Sequence, residues 1–190
     1  MARDAVLADR GVRPSLPKPG TIVGWVSLAA ESGRDLEDVV AAANPRLADR
    51  LDILRAIADG YAERKRAMGA VDYADLLVLT LRLLDEHPRV RRRLAETYRW
   101  VLVDELHDVN PLQARMVEAI AGEGGNLVAV ADPDQAIYSW RGADPRVVER
   151  FADVPGTRVF PLQTNYRSTP EVVALAQATL PAGNRYDKHL

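Results

Sequence analysis

The sequence predicts an α/β fold, with a helical part over residues 1–98 and a partial parallel sheet with crossover helices over residues 99–190. Three observations carry that reading. Apolar residues recur at helical spacing through the first half, the period changes at Arg99 to short continuous runs of branched residues, and helical segments lie between those runs.

Each element has its own signal. Pro14, Pro17, Pro19 and Gly20 predict a loop over residues 13–20, because proline blocks regular pairing and biases its predecessor away from helix. Ile22, Val23, Val26, Ala29 and Ala30 then fall on one helical face, with Gly33 placed to stop it. Asp35 precedes Leu36 and Asp38 as an N-cap with an acid in the first turn, and Pro45 breaks that segment. From Leu47 to Ala67 the residues Leu47, Leu51, Leu54, Ile57, Ala58, Tyr61 and Ala62 form one face of a long helix. Arg64, Lys65 and Arg66 lie near its C-terminus, where the dipole favours cations, and Gly69 ends it. An amphipathic helix from Asp72 to Leu84 stops before His87 and Pro88, and a short basic helix from Arg89 to Thr97 follows. Its arginines, Arg89 to Arg93, read as a solvated face.

The sheet signals begin at Trp100-Val101-Leu102-Val103, a buried-strand run closed by Asp104 and Glu105. Asn126 to Val130 is a second run, also leading to an acid, Asp132, and Thr157 to Leu162 is a weaker third. Helices are predicted at Leu112–Ala121, Asp144–Phe151 and Pro170–Leu180. There is no internal repeat and no low-complexity tract.

Composition excludes several classes. The 190 residues hold 25 Lys+Arg against 27 Asp+Glu and are 47% hydrophobic, ordinary for a folded chain. No apolar run approaches the ~18–20 residues that span a bilayer. The opening MARDAVLADRGVR lacks a signal-peptide core, so a cytoplasmic protein without membrane partners is expected. The absence of cysteine removes disulfides and thiolate chemistry. A net charge of -2 argues against wholesale binding to nucleic acid while leaving room for a local groove. Charge is unevenly spread: residues 51–100 carry ten Arg/Lys and eight Asp/Glu, residues 101–150 four and nine.

In an open parallel sheet, ligands bind outside the carboxyl ends of the strands, and three polar clusters fall there. The first is Val103-Asp104-Glu105-Leu106-His107-Asp108. One carboxylate there suits hydrated Mg²⁺ and a second suits orienting or deprotonating water, although an acid-rich loop in which Asp108 or Asn110 merely caps the helix at Pro111 reads the same residues. The second, Ala131 to Ala143, sets Tyr138, Trp140 and Arg141 close together, two aromatic faces and a guanidinium. That set suits stacking on unpaired bases with a phosphate contact, and Trp140 would equally pack into a core. The third, Gln163 to Pro170, presents Tyr166 and Arg167 at a turn that Ser168 or Thr169 can cap.

Taken together, the clusters resemble motifs II, III and IV of superfamily 1A DNA helicases, the UvrD/Rep/PcrA-like group. The family patterns run approximately V-D-E-[FY]-Q-D, G-D-x-x-Q-x-I-Y-x-[WF]-R-G-A and N-Y-R-S; here they are Val103–Asp108, Ala131–Ala143 and Asn165–Ser168. Val71 to Leu77 resembles the family's D-[FY]-x-D-L-L turn, and Asn184, Arg185 and Lys188 resemble its N-x-x-R-x-x-K stretch, so the likeness runs from about 71 to 190. Residues 1–70 are similar to the family's 1B subdomain only in helical character.

The resemblance implies a helical 1B-like subdomain over 1–98 and a partial RecA-like 1A motor domain, of the P-loop NTPase type, over 99–190. It implies ATP and Mg²⁺ as cofactors, single-stranded DNA as partner, and ATP-driven 3′–5′ translocation and unwinding, with the missing motor segments or a DNA-repair protein as further partners. By the same likeness Asp104 would hold Mg²⁺, Glu105 would be general base, and Gln135 would sense the γ-phosphate. Tyr166 would stack on adenine, Arg167 would touch the γ-phosphate, and Tyr138, Trp140 and Arg141 would meet single-stranded DNA.

Not all parts are present. The phosphate loop G-x-x-x-x-G-K-[ST] is absent, since none of the three lysines, Lys18, Lys65 and Lys188, follows a glycine or precedes Ser/Thr, and motifs V and VI are absent as well. Within the motifs, Leu106 replaces an aromatic, His107 a glutamine and Ala131 a glycine. The expectation is a helicase fragment without ATP turnover on its own, its sheet left with open apolar edges. Two other classes fit less: a non-enzymatic remnant that binds single-stranded DNA or a partner, and a two-metal nuclease built on Asp104, Glu105, Asp108, Asp132 and Asp134.

Overall fold

A computed structural model of the chain describes residues 16–122 and 124–180. The Asn184-to-Lys188 stretch, and residues 13–15 of the first loop, lie outside them.

Helix α1, Pro19–Ser32, has proline in its first turn and ends where Gly33 takes the left-handed conformation, φ 68°. Helix α2, Leu36–Ala43, follows; Asp35 occupies its N-cap position without a side-chain bond to the helix amides. The predicted single helix from Leu47 to Ala67 is two pieces. Asn44 accepts a bond from the Arg46 amide and Pro45 opens a 3₁₀ turn, Pro45–Arg50. The non-helical φ of Arg50, −127°, then separates that turn from α3, Leu51–Ala67. Apolar periodicity continues across the break because both pieces bury the same side: Leu47, Leu54 and Ile57 share one core with Ile22 and Val40.

Helix α4, Tyr73–Glu86, starts from a capping box in which the Asp72 carboxylate accepts from the Asp75 amide and Asp75 answers to the Asp72 amide. The box is tied to α3, since Lys65 and Tyr61 both donate to the second Asp72 oxygen, at 2.7 and 2.9 Å, and Lys65 also lies 2.6 Å from Asp75. Helix α5, Pro88–Thr97, buries none of its residues, in keeping with a solvated arginine face. Leu81 and Leu84 of α4 form a second core with Ala119 of helix α6, Pro111–Ala121, against which Leu94 of α5 packs.

Strands β1, Trp100–Val103, and β2, Asn126–Ala129, pair in parallel in the register Trp100↔Asn126 to Val103↔Ala129, with α6 as the crossover. The protein is therefore mostly helical, with a two-stranded parallel sheet. Val101 and Val103 are half-buried on the inner face, while Leu102 is 75% exposed on the other. The third predicted strand, Thr157 to Leu162, is not one. It has no ladder partner and contains Pro161, which has no N–H to donate, and its Val159, Phe160 and Leu162 are exposed. Branched and aromatic residues favour a strand only where a neighbouring strand and a face to bury are provided. Helices α7, Arg146–Ala152, and α8, Pro170–Thr179, complete the described residues; Thr169 stands at the N-cap of α8 without a side-chain bond to its amides.

Helix α1 packs on α2, α3, α4 and α6, so the helical half and the sheet half share contacts. A third core, Leu106, Ala114 and Val147 with Val103, Val109, Ala131 and Phe151 around it, lies directly beneath the strand ends.

Candidate functional site

The strand register ends β1 and β2 at the same level, so the loops that follow them run side by side. The Val130 amide donates to the Val103 carbonyl at 2.8 Å, and the Leu106 amide donates to the Val130 carbonyl at 3.0 Å. Between them Glu105 adopts φ 53° and ψ 43°, the only non-glycine residue with positive φ among those described. A left-handed side-chain-bearing residue costs about 1–2 kcal/mol, a strain that collects at functional positions. The turn drives Leu106 into the third core and buries His107, which is 1% exposed, while Asp104 and Glu105 stay in solvent.

The buried imidazole joins the loops. His107 Nδ1 accepts from the Asp132 amide at 3.0 Å, and Nε2 lies 3.2 Å from Glu105 Oε2 and 3.8 Å from Asp108 Oδ2. Asp132 in turn caps the 3₁₀ turn Pro133–Gln135, accepting from the Asp134 amide, and its other oxygen accepts from the Gln135 side chain at 2.8 Å. Asp104 Oδ1 accepts from the Glu105 amide at 3.0 Å. Ala131, where the resemblance expects glycine, keeps a negative φ and packs its methyl on the third core.

The aromatic cluster forms as expected and is exposed rather than packed into a core. Tyr138 and Trp140 lie with ring centroids 6.4 Å apart, tilted by 53°, and the Arg141 guanidinium is 6.0 and 5.7 Å from the two rings. Trp140 is 71% exposed. Gly142, at φ 88°, lets the loop turn back against α1; a Cβ there would meet Leu28 Cδ1 at 3.1 Å. Asn110, which caps α6 reciprocally with Gln113, donates from its side chain to Glu31 of α1 at 3.2 Å. Burial raises the Glu31 pKa, and the Arg141 charge and the Asn110 bond offset only part of that.

Tyr166 and Arg167 are not drawn into either cluster. Tyr166 is 93% exposed, and the local order there comes from Asn165, whose side-chain oxygen accepts from the Arg167 and Ser168 amides. A shallow cleft of about 420 Å³ lies beside them, lined by Gln163, Thr164, Asn165, Pro170 and Val173 among others.

Of the expected residues, Asp104 and Glu105 lie at the end of β1 and Gln135 in the adjoining loop after β2, the two loops being joined through Asp132 and His107; Tyr138, Trp140 and Arg141 form a second group, and Tyr166 and Arg167 stand apart. Sequence reasoning treated His107 as a departure from a pattern and missed that it holds the loops together. It also missed Glu31 beneath the aromatic loop. No three His, Asp or Glu side chains converge as a metal site among the described residues, so the nuclease reading gains no support. Among them, no helix is long and apolar enough to cross a membrane.

Comparison with known proteins agrees with the motifs. The UvrD/REP helicase N-terminal domain matches residues 15–155. DNA helicase II of Salmonella typhimurium is 37% identical over 125 residues, covering 65% of this chain and 17% of the relative. The ATP-dependent DNA helicase UvrD1 of Mycobacterium tuberculosis is 37% identical over 150 residues, covering 72% and 20%. The ATP-dependent DNA helicase PcrA of Bacillus subtilis is 30% identical over 190 residues, covering 97% and 25%. The chain spans a quarter or less of the length of these relatives. On the domain match and these identities together, the chain belongs to the UvrD/REP helicase family, as part of its N-terminal domain.

Proposed function

We propose that this chain supplies part of the ATP-hydrolysing and DNA-contacting machinery of an ATP-dependent 3′–5′ DNA helicase, within a RecA-like, P-loop NTPase-type motor domain beginning at residue 99 behind a 1B-like helical subdomain. The observation that supports the reading is the junction of two strand-end loops, in which the Asp132 amide meets His107 of the loop carrying Asp104 and Glu105 while the Asp132 carboxylate holds Gln135, and the second loop leads into the Tyr138–Trp140–Arg141 group.

The donors fit a hard cation. Mg²⁺ is ordinarily held by one or two carboxylates together with water and substrate phosphates, without an all-protein cage. Asp104 is an exposed carboxylate at the strand end, and Asp108 Oδ1 is a buried oxygen without a hydrogen-bonding partner among the described residues. Asp104 would hold the ion, which when bound neutralises charge on phosphate oxygens. Glu105 would take the proton from attacking water, and Gln135, held by Asp132, would report on the γ-phosphate. Tyr166 would meet adenine and Arg167 the γ-phosphate. The phosphate-holding glycine loop does not occur in these 190 residues, so the chain on its own should not turn over ATP.

The exposed rings, with a guanidinium beside them, suit unpaired bases and a phosphate. The test is a fluorescence titration of labelled oligothymidylate with the 190-residue chain at low salt. Binding is expected, weakened by about 5- to 100-fold in Trp140→Ala, as one lost stacking contact implies. Absence of binding at low salt, or equal binding by Trp140→Ala, would overturn the assignment of this group.

A further inference from the structure

Helix α5 carries four arginines and one acid, Glu96, in a chain whose net charge is -2. Leu94 packs on the second core, and Ala95 Cβ lies 2.9 Å from where a Cβ on Gly122, at the end of α6, would stand. Those two residues mark the inner side of α5. At 3.6 residues per turn Arg89, Arg92, Arg93 and Glu96 fall on the opposite side, and all four are exposed.

The described contacts do not account for these charges. The helix has no acid in its first turn, and its arginines lie toward the amino end, where the backbone dipole opposes cations. Arg89 stands three and four residues before Arg92 and Arg93, spacings at which like charges repel. The acids just before the helix are engaged elsewhere, Asp85 with Arg115 at 3.0 Å and Glu86 with Arg82 at 2.7 Å. Among the described residues, no carboxylate forms an ion pair with an α5 arginine, Glu96 included. An anion from outside the chain would relieve the repulsion that the fold leaves standing.

The composition of this side selects the anion. A protein partner is ordinarily held by aromatic or aliphatic anchors, and Arg89, Arg92, Arg93 and Glu96 offer none. Unpaired bases ask for rings to stack on, which are also missing from that side. A duplex asks only for cations along its backbone, which bears one charge per ~1.7 Å of axis. The three arginines spread over ~6 Å of helix axis, and a guanidinium can hold a phosphate through two parallel bonds. The place is distinct as well. Helix α5 ends at Thr97, just before β1 begins at Trp100, so it lies at the amino ends of the strands. Asp104 and the loop bearing Trp140 follow the carboxyl ends, the length of a four-residue strand away, ~13 Å.

We propose that the outward side of α5, through Arg89, Arg92 and Arg93, is a second nucleic-acid contact, which holds the phosphate backbone of a duplex without reading its sequence. It is separate from the Tyr138–Trp140–Arg141 group and does not depend on the role proposed for that group.

The experiment is fluorescence anisotropy of a labelled, blunt DNA duplex of about 20 base pairs, titrated with the 190-residue chain at several salt concentrations. The logarithm of the association constant is expected to fall against the logarithm of salt with a slope of about −2.7 for three phosphate contacts, roughly 40-fold between 50 and 200 mM. Each of Arg89→Gln, Arg92→Gln and Arg93→Gln is expected to reduce that slope by about 0.9, since glutamine keeps the length and helix propensity and removes the charge. The same differences are expected in the Trp140→Ala background, so a failed single-strand assignment and a failed duplex assignment are told apart. With the repulsion relieved, the triple variant is expected to unfold at a urea concentration no lower than the parent's. No duplex binding at about 20 mM salt, or a slope unaltered in the triple variant, would sink the proposal. So would a lower urea midpoint, which would give the arginines to the fold. Displacement of the duplex by polyglutamate at a lower charge concentration than by unlabelled duplex would overturn it in favour of an acidic protein segment.

Discussion

Replacing Asp72 by alanine tests the most heavily bonded carboxylate in the helical half. The change removes the cap bond to the Asp75 amide at 2.9 Å, the Tyr61 bond at 2.9 Å and the Lys65 bond at 2.7 Å. A lost cap costs about 1 kcal/mol. The other two bonds add about 1–2 kcal/mol together, because the Lys65 ammonium keeps Asp75 at 2.6 Å and is not left unpaired. The expected loss is about 2–3 kcal/mol, or roughly 4–10 °C in melting temperature for a chain of this size. Asp72→Asn keeps an acceptor for the cap and loses the charge, so it should cost about 1 kcal/mol.

The pH dependence follows from the same contacts. Burial pushes the Asp72 pKa up, but the bonds from Lys65, the Asp75 amide and Tyr61 outweigh it and hold the carboxyl below its ordinary value. Its contribution is therefore complete above the unfolded value, about 3.9, and is lost as pH falls through the lower folded value. Burial pushes the Lys65 pKa down, and its two carboxylates outweigh that and raise it. Its contribution is complete below about 10.4 and is lost as pH rises through the folded value. Urea unfolding followed by far-ultraviolet circular dichroism should give a difference between parent and Asp72→Ala that is flat near neutrality and shrinks at both extremes. A difference below about 0.5 kcal/mol at neutral pH, or one that grows on acidification, would refute the reasoning.

Two further outcomes are expected. Glu105→Gly should be more stable than Glu105→Ala by about 1 kcal/mol, because glycine takes positive φ without a Cβ penalty; equal urea midpoints would show that the left-handed turn carries no strain. Gly142→Ala should lose about 1–2 kcal/mol and change Trp140 fluorescence, since the added Cβ sits 3.1 Å from Leu28 in a left-handed turn; an unchanged spectrum and midpoint would place the loop elsewhere.

Much of this architecture is written locally. The amphipathic run from Asp72 announces a helix, and the apolar runs at 100–103 and 126–130 announce strands, because each signal is completed within a few residues. The run at Thr157–Leu162 misled for the opposite reason. Its composition is strand-like, but a strand is made by a partner that no local pattern reveals. The break at Arg50 was hidden because both pieces bury the same face. At the candidate site, Asp104 and Glu105 stood out as acids closing a strand, and Gln135 through the resemblance to the helicase motifs. The role of His107 was not, since its partner is 25 residues away and only the strand register brings the two together.

The footing of the aromatic loop has a consequence for the order of events in folding. Glu31 and Asn110 are 79 residues apart in the chain, and they meet beneath Gly142 and Arg141. Contacts so distant close late, after the helices and the strand pair have lowered the entropy of bringing their ends together. Trp140 should therefore take up its native signal in the last kinetic phase, after helical signal has been regained. The surface proposed to contact DNA would then be a certificate of completed folding: a chain that has not yet docked α1 has no platform to offer a strand.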